Sequence, residues 1–153
     1  MSTTISSTID IAATRDAVWN VLTDFAGYRE WNPIMKHIEG TARVGTKLVV
    51  HMSGNDGRGS TFTPKVLAAI PGQELRWLGK LGPGGLFDGE HFFILTTNAD
   101  GTTRLTHGET FSGLLPALMK HRLEKGGREH AEAGADAFNR ALKNRVETTR
   151  HTR

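Results

Sequence analysis

The chain has 153 residues, of which 37% are hydrophobic and 23% are charged, a length and composition typical of one globular domain. No apolar run approaches the roughly 20 residues that a membrane helix needs, and the first residues lack the basic and apolar regions of a signal peptide. The chain has no cysteine, which excludes disulfides and cysteine-ligated metal or redox sites. We therefore expect a cytoplasmic protein that does not insert into membranes.

Positive charge gathers near the C-terminus, although the formal net charge is only +3. The cations are Arg140, Lys143, Arg145, Arg150 and Arg153. Cations in the last turns of a helix stabilise the negative end of its dipole. No stripe of basic and aromatic residues resembles a nucleic-acid recognition motif, so we expect no nucleic-acid partner.

The first residues predict one strand followed by two short helices. Hydrophobic and polar residues alternate over 4–11, which is typical of a half-buried strand. Thr14 is a suitable N-cap for the first helix, and Asp24 for the second. We expect the second helix to end at Asn32, because the residue before a proline, here Pro33, avoids the helical region.

Strand-like segments then follow one another, separated by turns that are mostly rich in glycine. Closely spaced strands with short turns favour an antiparallel meander. The predicted strands cover residues 34–41, 46–53, 59–70, 73–81, 87–98 and 102–112.

From about Leu114 the hydrophobic residues recur at spacings of three and four, which indicates helix. Gly126 and Gly127 interrupt this pattern, because each glycine costs about 1 kcal/mol against alanine in a helix. We predict a long final helix over 128–147 that completes a single domain over 1–147. Residues 148–153 are predicted to be a disordered tail.

Small residues occupy the middle of one face of this final helix, at Ala131, Gly134 and Ala135. A helix with such a face does not fill the concavity of a strongly bent sheet, so we expect space for a ligand between sheet and helix. The alternative is that large sheet residues such as Trp77 and Phe93 fill this gap.

The two strands within 87–112 form the most informative hairpin. Side chains alternate between the two faces of a strand. The face with the bulkier apolar residues is predicted to point inward, and it also carries titratable groups. It comprises His91, Phe93 and Leu95 in the first strand, and Leu105, His107, Glu109 and Phe111 in the second.

The loop of this hairpin must agree with that choice of faces. A two-residue turn would place the chosen faces on opposite sides of the sheet. A three-residue loop over 99–101, with Gly101 in a left-handed conformation, puts both on the same side. We therefore predict that Leu95 pairs with Leu105, Phe93 with His107, and His91 with Glu109.

This register places an imidazole opposite a carboxylate on the inner face, about 5 Å apart at the β-carbons. His91 and Glu109, with His107 beside them, are candidates for general acid–base catalysis on a bound carbonyl compound. The alternative is a structural pair that satisfies its own buried polarity. The seven histidines show no metal-ligand spacing, so neither a metal nor a cofactor is expected. A metal shared by His91, His107 and Glu109 is the disfavoured alternative.

The order of elements resembles that of the SRPBCC superfamily, the START-like group that includes polyketide cyclases, lipid-transfer domains and birch-pollen-allergen-like proteins. The resemblance implies an α+β helix-grip fold, in which a curved antiparallel seven-stranded sheet wraps round a long C-terminal helix, with two short helices after the first strand. Several stretches look like bacterial members of the polyketide cyclase/dehydrase-like branch: AVWNVLTDF at 17–25, WNP at 31–33, LFDGEHFF at 86–93, TRLTHGE at 103–109 and FNRALK at 138–143.

This resemblance leaves three functions open. The first is binding of a small hydrophobic or amphipathic molecule in an internal cavity, and the second is a polyketide cyclase/dehydrase-like reaction in the same cavity. The third and weakest is an interaction module like the chaperone-activator branch. A homodimer is a further alternative, because Phe92 and Ile94 on the outer face would leave an apolar spot. The predicted cavity residues are Trp77, His91, Phe93, Leu105, His107, Glu109, Phe111, Ala135 and Phe138.

Overall fold

The computed structural model describes residues 2–53, 59–80, 88–113 and 128–151. The turns predicted at 54–57 and 82–85, the helical pattern beginning near Leu114 and the break at Gly126 and Gly127 lie outside the described residues. The strands are β1 (Thr3–Ile11), β2 (Met35–Glu39), β3 (Val49–Met52), β4 (Ser60–Phe62), β5 (Lys65–Ile70), β6 (Glu74–Lys80), β7 (Asp88–Thr97) and β8 (Thr103–Ser112). The α-helices are α1 (Arg15–Thr23), α2 (Tyr28–Trp31) and α3 (Arg128–His151), with a 3-10 turn at Phe25–Gly27 before α2.

The described strands form two antiparallel sheets, one of five strands in the order β1-β8-β7-β6-β5 and one of three in the order β2-β3-β4. The sequence predicts seven strands in one sheet, and this count is wrong because the segment 59–70 contains two strands. The segment breaks at Thr63 and Pro64, where proline has no N–H to continue a ladder. Hydrogen bonds from Leu48 N to Pro64 O (2.8 Å) and from Val66 N to Thr46 O (2.9 Å) connect the two sheets.

Helix α3 packs against the inner side of the sheets, which confirms the α+β helix-grip architecture. Its buried residues Phe138, Leu142 and Val146 belong to the same hydrophobic core as Phe93 and Leu105 of the five-stranded sheet. Burial of apolar surface stabilises this arrangement by about 25 cal/mol per Å². No helix within the described ranges combines the length and the apolar character needed to cross a membrane.

The short helices begin and end for local reasons. Thr14 caps α1 as predicted, because its Oγ1 accepts a hydrogen bond from Ala17 N at 3.2 Å. Asp24, predicted to cap the second helix, makes no side-chain capping bond to the 3-10 turn. Asn32 has an extended backbone before Pro33 and ends α2, as the proline predicts.

The hairpin β7–β8 has the predicted register. Leu95 pairs with Leu105, and His91 pairs with Glu109. Asn98 N donates to Thr102 O at 2.8 Å, which closes a loop over 99–101. Gly101 has a φ of +85°, the left-handed conformation that the three-residue loop requires.

The outer face of this hairpin does not carry the exposed apolar spot that the sequence predicts at Phe92. Phe92 is only 8% exposed, because its ring lies over Gly108, where a β-carbon would stand 2.4 Å from Phe92 Cζ. The guanidinium of Arg76 covers the ring at 5.1 Å from its centroid. Phe92 therefore gives no support for a homodimer formed through this face.

The final helix continues to His151, four residues beyond its predicted end at 147, so the predicted tail is helical up to that residue. Contacts hold the last turns to the body of the protein. Arg145 pairs with Glu30 at 3.0 Å. Lys143 Nζ donates to Asp10 O at 2.7 Å, and Glu147 Oε1 accepts from Ala12 N at 2.9 Å.

Two glycines make a matched test of this account. Gly101→Ala should lower the free energy of unfolding by about 1–2 kcal/mol, because the left-handed conformation is unfavourable for alanine. Gly134→Ala should raise it by about 0.4–1 kcal/mol, because alanine favours the helix. A β-carbon meets no atom within 4 Å at either position, so backbone conformation alone separates them. Urea denaturation measures both changes, and equal effects of the same sign would contradict the loop assignment.

Candidate functional site

A pocket of about 520 Å³ lies between the sheets and helix α3. One wall comes from the hairpin β7–β8, a second from α3, and a third from β2, β3 and the residues beside them. The lining residues are Ile5, Pro33, Ile34, Met35, Met52, Ser53, His91, His107, Gly108, Glu109, Ala131, Ala133, Gly134, Ala135 and Phe138.

The helix wall is made mainly of small residues. Ala131, Gly134 and Ala135 all line the pocket, and a β-carbon added at Gly134 would meet no atom within 4 Å. Phe138, one turn further along, is fully buried against the sheet. The space therefore lies beside the small-residue part of α3, and it ends where Phe138 fills the interior.

The titratable groups that line the pocket cluster on the hairpin wall. His91 Nδ1 lies 3.5 Å from Glu109 Oε1, and the two side chains are 13% and 25% exposed. The His107 ring stacks on Phe93 with 4.4 Å between centroids. His91 and His107 are neighbours at 5.8 Å between ring centroids. We call His91, His107 and Glu109 the polar cluster.

Burial determines the protonation of the polar cluster. Desolvation lowers the pKa of His91 to about 4. Desolvation, aided by repulsion from His91 and opposed by the hydrogen bond to Asn139, lowers the pKa of His107 to about 3. Desolvation raises the pKa of Glu109 to about 7. Near neutral pH both imidazoles are therefore uncharged, and a large fraction of Glu109 is a neutral carboxylic acid. Desolvation outweighs ion pairing here, a balance that the sequence leaves open.

The tautomer of His107 follows from its partner on α3. His107 Nδ1 lies 3.0 Å from Asn139 Oδ1. Because this amide oxygen only accepts, Nδ1 carries the proton and Nε2 is left as an acceptor. Asn139 is 1% exposed, so this hydrogen bond joins sheet and helix inside the core. It also fixes the orientation of the imidazole.

The structure brings five of the predicted cavity residues to the pocket wall, namely His91, His107, Glu109, Ala135 and Phe138. The other four do not line it. Trp77, Phe93 and Leu105 are fully buried in the core, and Phe111 is partly buried. Large sheet residues thus fill part of the interior, as the alternative prediction states, and leave the pocket beside them.

The wall from β2 and β3 is absent from the sequence prediction. Asn32 Oδ1 accepts hydrogen bonds from Ile34 N (3.0 Å) and Met35 N (2.9 Å), which shapes the chain beside the pocket. Ser53 Oγ donates to Pro33 O at 2.6 Å and joins the end of β3 to this segment. Methionines such as Met35 and Met52 adapt to irregular spaces, but their presence alone does not indicate a pocket.

The geometry defines a class of protein: a helix-grip domain with a pocket between sheet and C-terminal helix. Comparison with family models agrees. The chain belongs to the family described as polyketide cyclase/dehydrase and lipid transport, whose model matches residues 2–147. This places it in the polyketide cyclase-like branch of the SRPBCC superfamily. A search of curated proteins finds no match.

Solved structures share the fold at low sequence identity. A START superfamily protein from Mycobacterium smegmatis is 20% identical with a TM-score of 0.73, and the match covers 95% of this chain and 98% of that one. The Zhui aromatase/cyclase from a Streptomyces species is 20% identical with a TM-score of 0.74, over 100% and 97% of the two chains. A protein of unknown function from Staphylococcus aureus is 11% identical with a TM-score of 0.76, over 99% and 97%.

The raised pKa of Glu109 predicts a difference in stability between wild type and Glu109→Gln that depends on pH. The unfolded chain releases this proton near 4.5, and the folded protein releases it near 7. Between these values the folded state holds a proton that the unfolded state has lost, so rising pH destabilises the wild type. From about pH 5 to about pH 8, the wild type should lose roughly 2.5 kcal/mol relative to Glu109→Gln.

Urea denaturation of both proteins at the two pH values measures this difference. Below about pH 6.5, His91 and His107 change the free energy of unfolding in the opposite direction. The unfolded chain then binds protons at these histidines that the folded protein does not bind, so rising pH stabilises the folded protein there. Both proteins contain these histidines, so the difference between the two stability curves reports the titration of Glu109 together with the loss of its contact with His91. Parallel stability curves would show that Glu109 titrates normally.

Proposed function

We propose that the pocket binds a small hydrophobic or amphipathic molecule. The observation that carries this proposal is a space of about 520 Å³, within the roughly 300–1,000 Å³ of small-molecule sites. Its walls are mostly apolar, and its titratable groups are gathered on one side. Such an arrangement favours a ligand with an apolar body and one polar end.

The polar cluster favours a neutral ligand over an anionic one. The protonated carboxyl of Glu109 donates a hydrogen bond, and the Nε2 atom of His107 accepts one, so together they suit a hydroxyl or carbonyl group. No lysine or arginine appears among the described residues that line the pocket. A carboxylate ligand would therefore be buried without a counter-ion, which is costly.

A second candidate is a polyketide cyclase/dehydrase-like reaction in the same pocket. The observation that favours it is the pKa of about 7 at Glu109 beside a neutral imidazole, since a pKa near the working pH suits general acid–base catalysis. Glu109 would give its proton to a ligand carbonyl oxygen while His91 takes one from the adjacent carbon, which yields an enol. Similarity to an aromatase/cyclase supports this candidate. Glu109→Gln should then remove turnover while the ligand still binds.

Filling the pocket tests the binding proposal. Ala135→Phe places a ring in the space beside the small-residue face of α3. It should weaken binding of an environment-sensitive apolar dye by at least about tenfold, because the ring occupies the volume that the dye needs. Dye fluorescence titration measures the affinity, and displacement by neutral hydroxylated aromatics, compared with fatty acids, reports ligand preference.

Arg140→Phe is the matched control, because Arg140 is exposed on the same helix and does not line the pocket. It should leave dye affinity unchanged. Circular dichroism establishes that both variants are folded. Equal dye binding by the wild type and a folded Ala135→Phe would refute the proposal.

A further inference from the structure

A second group of potential ligands lies away from the pocket, on the three-stranded sheet. It consists of His37 and Glu39 from β2 and His51 from β3, none of which lines the pocket. Glu39 Oε1 lies 3.9 Å from His37 Nε2, and Glu39 Oε2 lies 3.8 Å from His51 Nε2. One ligand atom from each residue lies within 4.8 Å of the others. We call these three residues the two-histidine site.

The strand register brings these side chains together. His37 stands directly opposite His51 in the antiparallel ladder of β2 and β3, where facing β-carbons are about 5 Å apart. Glu39 is two residues beyond His37 and shares its face. The side chains are 33% (His37), 41% (His51) and 58% (Glu39) exposed, so solvent reaches all three.

Both imidazole rings are oriented by their Nδ1 atoms. His37 Nδ1 lies 3.0 Å from Arg29 Nη2, and His51 Nδ1 lies 3.2 Å from Thr61 Oγ1. The rings stack at 5.3 Å between centroids. With Nδ1 engaged, both Nε2 atoms are directed toward Glu39. Histidines that bind metal ions commonly donate a hydrogen bond from the second ring nitrogen. His51 can donate to Thr61 Oγ1 in this way, whereas His37 cannot donate to Arg29.

We propose that His37, Glu39 and His51 bind a divalent transition-metal ion of the Zn²⁺ class. Two imidazole nitrogens and a carboxylate oxygen are a known ligand set for zinc, with water in the fourth position. Ligand atoms about 2.0–2.1 Å from a tetrahedral zinc stand about 3.3 Å apart. The imidazoles lie 3.9 and 3.8 Å from different oxygens of Glu39, and one ligand atom from each residue lies within 4.8 Å of the others. Movements of these exposed side chains by about 0.5–1.5 Å bring the ligand atoms to the tetrahedral separation. Imidazole ligands disfavour Mg²⁺ and Ca²⁺, which prefer oxygen.

Arg29 disfavours metal binding at the two-histidine site. A guanidinium only donates hydrogen bonds, so His37 Nδ1 accepts from Arg29 and its proton is on Nε2. Zinc binding at Nε2 requires the other neutral tautomer: the Nε2 proton leaves to water, Nδ1 takes a proton up from water, and the contact with Arg29, which needs an accepting Nδ1, breaks. The positive charge of Arg29 also repels the cation. Arg29 therefore weakens the site, and removing it should strengthen binding.

Calorimetric titration of the full chain, without a histidine tag, tests the proposal with ZnCl₂ as the probe. We expect one equivalent of zinc to bind and CaCl₂ to give no binding. His37→Asn, His51→Asn and Glu39→Gln should each lower zinc affinity by at least about tenfold. Arg29→Gln should raise it by roughly three- to tenfold.

His91→Gln is the control, because it removes a histidine from the pocket and leaves the two-histidine site intact. Its zinc affinity should equal that of the wild type. Circular dichroism checks folding, and Glu39→Gln, at the most exposed of the three positions, provides a test if a histidine variant does not fold. The proposal is overturned if the wild type binds no zinc, if zinc binding survives in the folded site variants, or if His91→Gln removes it.

Discussion

The pairing of β7 with β8 decides which side chains face helix α3, and the pocket depends on it. Because strand side chains alternate, a slip of one residue would turn His91, Glu109 and their apolar neighbours to the other face. Gly101 holds the register, since its φ of +85° permits the three-residue loop. The conformation of this surface loop therefore determines which titratable side chains of β7 and β8 face the interior.

Between about pH 4 and pH 7, burial on that inner face keeps the polar cluster uncharged. Transfer from water costs a charged group far more than a neutral one. The two imidazoles therefore lose their protons and the carboxyl keeps its own, as the directions of their pKa shifts indicate. The hydrogen bond between His107 and Asn139 satisfies one of these groups within the protein, and His91 Nδ1 lies 3.5 Å from Glu109 Oε1. In the proposed function, Nε2 of His107 and the carboxyl of Glu109 interact with the ligand.

The interior is divided between large and small side chains. Trp77 and Phe93 are fully buried with Phe138, and the Phe93 ring packs in a tilted arrangement against each of the other two rings. Close packing of this kind leaves few voids in most proteins. Beyond Phe138 the helix offers Ala135 and Gly134, and the space opens there. The same helix therefore closes the core along one part of its length and forms a pocket wall along another.

The local sequence pattern is sufficient to predict the hairpin register, the cap at Thr14 and the small-residue face of α3. Each of these depends on residues that are neighbours in the chain or on the alternation of side chains along a strand. It was not sufficient for contacts between distant segments. Pro64 marks a break within the segment 59–70, but the sequence does not show that the two strands on either side belong to different sheets. Nor does it show that Met35 and Met52 form a wall of the pocket.

The two-histidine site could not be predicted from the sequence either, because it depends on a contact between distant segments. His37 and His51 have no sequence spacing that indicates a metal site, and only the pairing of β2 with β3 makes them neighbours. The protonation states of His91, His107 and Glu109 could not be predicted from the sequence either, because the balance between desolvation and ion pairing depends on the depth of burial. Depth of burial is a property of the folded chain.

The central claim is that the pocket presents an uncharged polar cluster to its ligand between about pH 4 and pH 7. A titration followed by nuclear magnetic resonance measures this most directly. The carboxyl carbon of Glu109 and the ring nitrogens of His91 and His107 would be followed from acid to alkaline pH. The account predicts that Glu109 titrates near 7 and that both histidines stay neutral down to about pH 4. Ordinary values for the three groups, with a charged His91–Glu109 pair near pH 5 to 6, would contradict it.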